Sequence, residues 1–363
     1  EVTKGFLYNR PYENPENKFK EPNIEKLNNY NNILENMLSH ENIASRSIIY
    51  ESYDKQVQGR TISEAGESDS GVLAPFNSDD YPKEIQKIGI ALSTDHNPRY
   101  GIIDPYLGGI NSVVEAMRNV AAVGATPHAI SDCLCFGNPE NPNQMWEFIE
   151  SVRGVAEACN QIKLKHNQKH PTPIIAGNVS FYNESKSGAI PPSPIVSCLG
   201  KINNVENTIS MSFKNENSAI LMVGSRKDEL GGSLFYDLHG ELGANVPTPN
   251  LEEVKNQIYA ITDCIEEKLF LSCHDISDGG LAVAISEMTF KNNIGCDVMV
   301  PGNLALEKLL FSETGGFIIE TEPKHLQQIK NIFKVHDIVY YNIGKTNNNG
   351  RIRFNDAIDL DLK

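Results

Sequence analysis

The sequence predicts a protein of the α+β class with two domains. Helical and strand patterns mix along both halves without the regular strand–helix alternation of a doubly wound sheet. The 363 residues leave room for two domains, and 40% hydrophobic with 22% charged residues suits packed cores. Neither a G-x-G-x-x-G nor a Walker A pattern is present, which disfavours a standard Rossmann or P-loop nucleotide site.

The first half reads as a linker followed by one domain. Residues 1–52 are rich in Asn, Glu, Lys and Pro, and we expect a linker with one lead-in helix at 24–38. Residues 53–205 form the first expected domain, with a mobile Gly- and Ser-rich loop at 63–69 and a mostly antiparallel sheet. Its predicted strands are 87–94, 127–136, 173–181 and 195–202, its helices are 109–123 and 143–162, and a polar insertion occupies 163–170.

The second expected domain covers residues 206–363. An Asn-rich break at 201–217 separates it from the first domain. We predict strands at 218–223 and 269–274 and helices at 251–268 and 281–290.

Composition excludes several classes of protein. The net charge of −15 and the pI of about 5.1 argue against nucleic-acid binding through a general basic face, so an anionic ligand would need local backbone donors or a metal ion. No segment approaches the ~18–20 apolar residues of a membrane span. The seven cysteines include no C-x-x-C pair, which predicts free thiols in a reducing cytoplasm.

The run from residue 173 to 183 is the most informative stretch of the chain. A β-branched strand ends in Gly177, which lets a ligand or another backbone come close. Asn178 and Ser180 then offer the neutral oxygens and donors that surround phosphates and hard cations. The alternative is a strand end that merely turns a corner.

Other polar residues stand at the ends of predicted strands. Asp132 lies in an apolar strand, where a carboxylate needs a metal ion, a ribose hydroxyl or a cation. Residues 95–100 end a predicted strand and enter a loop, where ligands are often held, and the alternative is a capped turn around Asn97-Pro98. Residues 104–109 lead into a predicted helix, whose first backbone N–H groups can bind a phosphate. Residues 274–281 and 311–316 are similar turns, and Asp278 can simply cap a helix.

Taken in order, these runs resemble the phosphoribosylformylglycinamidine synthase family. The likeness covers roughly residues 25–345. The matching strings are 53–61, 95–100, 104–109, 115–119, 124–127, 136–140, 177–183 and 274–281.

The resemblance implies the fold of the aminoimidazole ribonucleotide synthetase superfamily. In this family the synthetase core holds two related copies of a two-domain unit, and the chain looks like the second copy, the C-terminal half. The antiparallel sheet of its first domain is expected to pair with a like domain, from the N-terminal half or from a second copy of this chain. The chain is then either a trimmed piece or a natural split subunit.

The resemblance also assigns roles to residues. It implies ATP contacts at Asp132 and Gly177, a magnesium ligand at Asn178 and a contact to formylglycinamide ribonucleotide at Ser180, with no catalytic residue in this half. We expect Asp132 and Asn178 to converge on one Mg²⁺–nucleotide, directly for Asn178 and through the nucleotide or a water for Asp132. A second, structural nucleotide site near Asp95 and Asp275 is left open.

The implied activity is that of a carbon–nitrogen ligase of purine biosynthesis in the cytoplasm. ATP phosphorylates an amide oxygen of the substrate, ammonia displaces phosphate, and formylglycinamidine ribonucleotide results. Mg²⁺ neutralises the transferring phosphoryl group. No glutaminase signature is visible, so ammonia is expected from a glutaminase domain or subunit.

The chain departs from the family at three positions. Cys135 stands where Asn is usual, Gly316 where Arg is frequent, and His96 where a small residue is usual. Two alternatives remain. One is a non-catalytic nucleotide-binding scaffold half. The other is a different superfamily member, such as aminoimidazole ribonucleotide synthetase, thiamine monophosphate kinase or selenophosphate synthetase.

Overall fold

Ten α-helices lie within the residues that the computed structural model describes, which are 5, 8–16, 19–24 and 27–362. They are α1 Tyr30–Leu38, α2 Ser47–Tyr50, α3 Pro98–Ile103, α4 Pro105–Ala122, α5 Pro142–Gln161, α6 Leu234–Asp237, α7 Leu251–Glu266, α8 Gly280–Phe290, α9 Leu306–Phe311 and α10 Leu326–Val335.

The strands of the same part of the chain build two larger sheets and two small hairpins. The strands are β1 Thr61–Ser63, β2 Gly71–Leu73, β3 Gly89–Asp95, β4 Thr126–Cys135, β5 Lys163–Leu164, β6 Asn167–Pro171, β7 Ile174–Ser180, β8 Glu184–Ser185, β9 Gly188–Ala189, β10 Ser193–Ile202, β11 Ala219–Val223, β12 Ser272–Ile276, β13 Gly295–Val298, β14 Gly316–Thr321, β15 Tyr340–Asn347, β16 Arg351–Phe354 and β17 Ile358–Asp361.

The first sheet has the order β1-β2-β3-β10-β4-β7 and is antiparallel except between β4 and β7. The second has the order β12-β14-β11-β15-β13-β16-β17, with one parallel pair, β13 and β16. The expected mostly antiparallel first sheet and the α+β class are thus confirmed. The first sheet ends at residue 202 and the second begins at 219, while the domain division at 205/206 stays a prediction.

The two faces of the first sheet differ in their surroundings. Val196 and Cys198 on β10 are fully buried in the core with α4 and α5, and we call this side the inner face. Residues with the opposite parity, such as Leu92 at 47% exposure, lie on the outer face, where the side chains are at most partly buried. Strand β7 is the last strand of the sheet and is exposed almost throughout.

Helix α4 lies at the centre of the molecule. Fifteen of its eighteen residues are buried, and it packs on α5, α7 and the first sheet. A Cβ atom at Gly109 would overlap the Ser151 carbonyl oxygen, and one at Gly154 the Tyr106 carbonyl oxygen. The two glycines therefore let α4 and α5 approach closely.

Helix starts account for two of the differences from the predicted elements. Helix α3 was not predicted, and α4 begins at residue 105 rather than 109. In both cases a proline occupies the first turn and the preceding side chain, Asn97 or Asp104, accepts a backbone N–H. Proline is favourable there, because the N–H it lacks would have no helical partner. The Asn-Pro and Asp-Pro pairs therefore start helices rather than loops.

Three further segments refine the sequence expectations. Helix α1 begins at Tyr30, capped by Asn29, instead of residue 24, and residues 25–26 of the predicted helix lie outside the described part. The polar insertion at 163–170 forms the hairpin of β5 and β6. Strand β12 extends to Ile276, so that His274 and Asp275 are strand residues.

None of the described helices is long and apolar enough to cross a membrane. All seven cysteines are free, as predicted, and five of them are buried.

Candidate functional site

Asp132 and Gly177 lie side by side on β4 and β7. The parallel pairing places them opposite each other. A Cβ atom at residue 177 would overlap both carboxylate oxygens of Asp132, so the glycine makes room for the acid beside the edge strand. Burial raises the pKa of the Asp132 carboxyl group. The structure therefore brings together the two residues for which we predicted ATP contacts.

Asn178 and Ser180 lie on the other face of the sheet. They pair with Cys133 and Cys135, whereas Asp132 pairs with Val196 of the inner face. Because successive residues of a strand point to opposite faces, the side chains of Asp132 and Asn178 point away from each other. They do not converge as predicted, and only a ligand that crosses the open edge of β7 at Gly177 reaches both.

The strand end after Ser180 is a firmly bonded corner. The Asn183 amide donates to the Ser180 carbonyl oxygen at 2.8 Å and to the Phe136 carbonyl oxygen at 3.0 Å. The Ser180 hydroxyl lies 3.2 Å from Asn183 Oδ1. The chain therefore does turn a corner at the end of this strand, as the alternative interpretation expected. The Ser180 hydroxyl lies next to this turn, at the edge of the sheet.

A second polar cluster lies between the two sheets, around α4. The Asn119 amide donates to Asp95 at 2.9 Å. Arg118 Nε lies 3.7 Å from Asp275 Oδ2, too far for a hydrogen bond, and both buried atoms lack a partner among the described residues. Burial raises the pKa of Asp95 to about 6 and of Asp275 to about 7, and that of Glu115 well above its usual value.

This cluster has the chemistry of a cation site. Asp275 is a buried carboxyl group, Asp95 and Glu115 are partly buried ones, and the Arg118 guanidinium lies near Glu115 and Asp275. A divalent cation would restore the charged form of these acids and satisfy the unpaired oxygen of Asp275. The donor set, carboxylates with the Asn119 amide, is the one that Mg²⁺ prefers.

His274 joins the loop at 63–69 to the second sheet. Its Nδ1 lies 2.5 Å from Asp69 Oδ1, and its Nε2 lies 3.1 Å from Glu287 Oε2. Burial alone would lower the pKa of His274, but the two carboxylates raise it well above the usual value. Asp69 also accepts the Asp275 N–H at 3.1 Å. The loop that the sequence indicated to be mobile is thus held by an ion pair.

Asp69 is the functional candidate that sequence reasoning missed. Asp69, His274 and Asp275 form the one group of three potential metal ligands found in the described part. Asp69 stands among Ser and Gly residues with no pattern around it, so its partner 205 positions away gives no local signal.

The remaining strand-end acids are bonded within the protein. Asp278 accepts a hydrogen bond from the Asn97 amide at 3.2 Å. The N-cap residue of α8 is Gly279, and no side chain caps this helix, so the interpretation of Asp278 as a helix cap is wrong. Glu313, in the turn at 311–316, accepts the Tyr100 hydroxyl at 2.5 Å and the Gly279 N–H at 2.8 Å. Burial raises the pKa of Glu313 to about 8.

His96 lies at the end of β3, beside Asp95. Both of its ring nitrogens are buried without a hydrogen-bond partner among the described residues. Burial lowers the pKa of His96 to about 4, so that the imidazole is neutral at physiological pH. It is therefore a neutral group with unused hydrogen-bonding capacity next to the acid cluster.

The fold and these polar strand ends define the class of protein. The family model "AIR synthase related protein, N-terminal domain" matches residues 68–202, and "AIR synthase related protein, C-terminal domain" matches residues 215–356. The chain belongs to the AIR synthase related family.

Within this family the chain is similar to one kind of synthetase subunit. It is 43% identical, over 93% of its own length, to phosphoribosylformylglycinamidine synthase subunit PurL of Methanothrix thermoacetophila. The match covers 43% of the relative, so the chain spans less than half of the relative's length. The resemblance inferred from the sequence motifs is confirmed.

Solved structures share the fold at lower identity. Thermotoga maritima PurL complexed with FGAR superposes with a TM-score of 0.67 at 19% identity, over 92% of this chain and 55% of that one. The same protein complexed with ATP gives a TM-score of 0.64 at 19% identity, over 92% and 54% of the two chains.

Proposed function

We propose that this chain is one half, the C-terminal half, of the synthetase core of a phosphoribosylformylglycinamidine synthase. Joined to its other half, it converts formylglycinamide ribonucleotide to formylglycinamidine ribonucleotide at the expense of ATP, as a cytoplasmic carbon–nitrogen ligase of purine biosynthesis. The observation that carries this proposal is the arrangement at β7, where Gly177, Asn178 and Ser180 lie on the open edge strand and Asp132 lies opposite Gly177 on β4. The similarity to PurL supports it.

In this proposal the nucleotide lies across the edge of β7. The absence of a side chain at Gly177 lets phosphates come close to the strand, with Asp132 on one face and Asn178 on the other. Asn178 Oδ1 would hold Mg²⁺ on the nucleotide phosphates, and the Ser180 hydroxyl would bind the ribonucleotide. Mg²⁺ would supply charge neutralisation of the transferring phosphoryl group.

The partner would cover much of the outer face of the first sheet and would share the nucleotide site at the open edge of β7. The edge strand exposes Ile174, Ile175 and Val179 by 44%, 65% and 51%, and Leu92 is exposed on the outer face. Unpaired edges and apolar sheet faces favour association. We propose that a like domain, from the N-terminal half or a second copy of this chain, packs there and supplies the catalytic histidine that this half lacks. A glutaminase would supply ammonia.

The acid cluster around α4 favours a second candidate function for the same fold. Asp275 is buried and Asp95 and Glu115 are partly buried between the two sheets, away from the open edge. A Mg²⁺–nucleotide bound there would stabilise the two units against each other without reacting. In that scaffold role the chain would position its partner, and the residues at β7 would be dispensable for turnover.

Reconstitution distinguishes these roles. The purified chain alone should form no product from ATP, ammonia and formylglycinamide ribonucleotide, and addition of the N-terminal half should restore amidine formation. Asn178→Ala should then raise the Mg²⁺ concentration needed for half-maximal rate, while the matched control Asn203→Ala, an exposed loop amide, should not. Turnover by the chain alone would contradict the half-enzyme proposal. Unchanged kinetics of Asn178→Ala at limiting Mg²⁺ would favour the scaffold.

A further inference from the structure

Two thiols stand next to the proposed nucleotide edge. Cys133 and Cys135 are two positions apart on β4 and project from the same face, with their sulfur atoms 3.6 Å apart. Both side chains are partly exposed, whereas the other five cysteines are buried. Cys133 pairs with Asn178 and Cys135 with Ser180, so the thiols and the two predicted ligand residues share one patch of the outer face.

We propose that Cys133 and Cys135 form a chelating site for a thiophilic divalent cation such as Zn²⁺. Tetrahedral Zn²⁺ holds two thiolates at about 2.3 Å each, which places the two sulfurs about 3.8 Å apart. The observed separation of 3.6 Å needs almost no movement of β4 to match that geometry. Two further coordination positions remain for water or for ligand oxygens.

The geometry favours a bound ion over a disulfide. A disulfide requires the sulfurs to approach to about 2.0 Å. The two cysteines are fixed on one strand with the buried Leu134 between them, and β4 is bonded to β10 and β7 on either side. Closing the gap would bend a strand in the interior of the sheet, whereas a metal ion bridges it.

Proton release accompanies binding at this site. Ligands bind metals in their deprotonated form, and the apparent affinity should therefore rise with pH, by up to about 100-fold per pH unit if two protons leave.

The consequence for activity rests on the proposed function. An ion held by the two sulfurs would lie beside Asn178 and Ser180, on the face where Mg²⁺–nucleotide and ribonucleotide are proposed to bind. Zn²⁺ should therefore inhibit the reassembled synthetase, and a chelator should reverse the inhibition. Binding itself can be measured on the chain alone, so failure of the metal site and failure of the proposed function are distinguishable.

Co²⁺ is a suitable probe because sulfur ligands give it charge-transfer absorption that oxygen and nitrogen ligands do not. The chain should bind one Co²⁺ with this absorption, and Zn²⁺ should displace it. Cys133→Ser and Cys135→Ser should each lose about half of the intensity per ion and at least about 10-fold in affinity. The double variant should lose the absorption entirely. Cys198→Ala, which changes a buried thiol of the neighbouring strand, is the matched control and should retain it.

Two results would overturn the proposal. One is the absence of sulfur-to-cobalt absorption in the wild-type chain. The other is its persistence in the double variant, which would place the ion on other cysteines. Binding without that absorption would point instead to the cluster of Asp69, His274 and Asp275. If a serine variant fails to fold, alkylation of the wild-type chain tests the same site. Zn²⁺ should protect Cys133 and Cys135 from alkylation, and unprotected thiols would contradict chelation.

Discussion

Substitution of Gly177 by alanine tests whether the open edge of β7 is a nucleotide site. The new methyl group would overlap both carboxylate oxygens of Asp132, so this side chain must rotate away. Asp132 is only partly buried, and an off-rotamer side chain costs about 0.5–1.5 kcal/mol. Replacing a glycine restricts the unfolded chain and returns about 0.4–1 kcal/mol. The free energy of unfolding should therefore change by less than about 1 kcal/mol.

The effect on nucleotide binding should be larger than the effect on stability. A hydrogen bond to a charged group contributes about 1.5–3 kcal/mol. Because Asp132 is partly solvated, we expect the lower end of this range, which corresponds to an ATP affinity about 10-fold weaker. Asp132→Asn should give a similar loss, and the double variant should lose little more than either single variant, because both act through one carboxylate.

The assay is calorimetric titration of the reassembled synthetase with ATP and Mg²⁺, beside urea unfolding of the chain. Gly71→Ala is the matched control, since Gly71 lies in the same sheet and a Cβ atom there meets nothing within 4 Å. Wild-type ATP affinity in Gly177→Ala would refute the reasoning. A loss of more than about 2 kcal/mol of unfolding free energy would also refute it, because Asp132 would then be unable to move aside.

Three further predictions follow from other residues. Ser180→Ala should weaken ribonucleotide binding by about 0.5–1.5 kcal/mol. The KM for the ribonucleotide should rise about 2- to 13-fold, while the KM for ATP stays unchanged. A shifted KM for ATP, or an equal rise of the ribonucleotide KM in the exposed control Ser187→Ala, would contradict this prediction. The ion pair of His274 should contribute its full stability below the unfolded pKa, near pH 6.5, and this contribution should decline as pH rises toward the raised folded pKa. The difference in unfolding free energy between wild type and His274→Gln should therefore be largest at low pH. A difference that grows with pH would contradict the ion pair. Mg²⁺ should raise the melting temperature more at pH 8 than at pH 5.5. The raised pKa values of Asp95 and Asp275, about 6 and about 7, keep these two acids largely protonated at the lower pH. Asp275→Asn should reduce this difference, and equal shifts at both pH values would argue against a cation at this cluster.

The sequence alone determined the fold class and the main helices and strands, and it predicted a binding site at the run 173–183. These features depend on local periodicity and on residue types, such as the glycine after a β-branched strand, and both are readable within a short window. Motif order was sufficient to indicate the family. The sequence did not predict that helices start at Asn97-Pro98 and Asp104-Pro105. The same residue types occur in turns and at helix starts, and only the conformation of the following residues distinguishes a turn from a helix start.

Which polar residues contact one another depends on the tertiary structure. Asp132 and Asn178 are both plausible cation ligands by type, but the register of β4 against β7 sends them to opposite faces, and a shift of one residue would have reversed this result. Asp69 and His274 are 205 positions apart and become partners only when the loop packs on the second sheet. The same register places Cys133 and Cys135 beside Asn178 and Ser180. Proximity across strands and domains depends on register and packing, and neither is encoded in the local pattern of a single sequence.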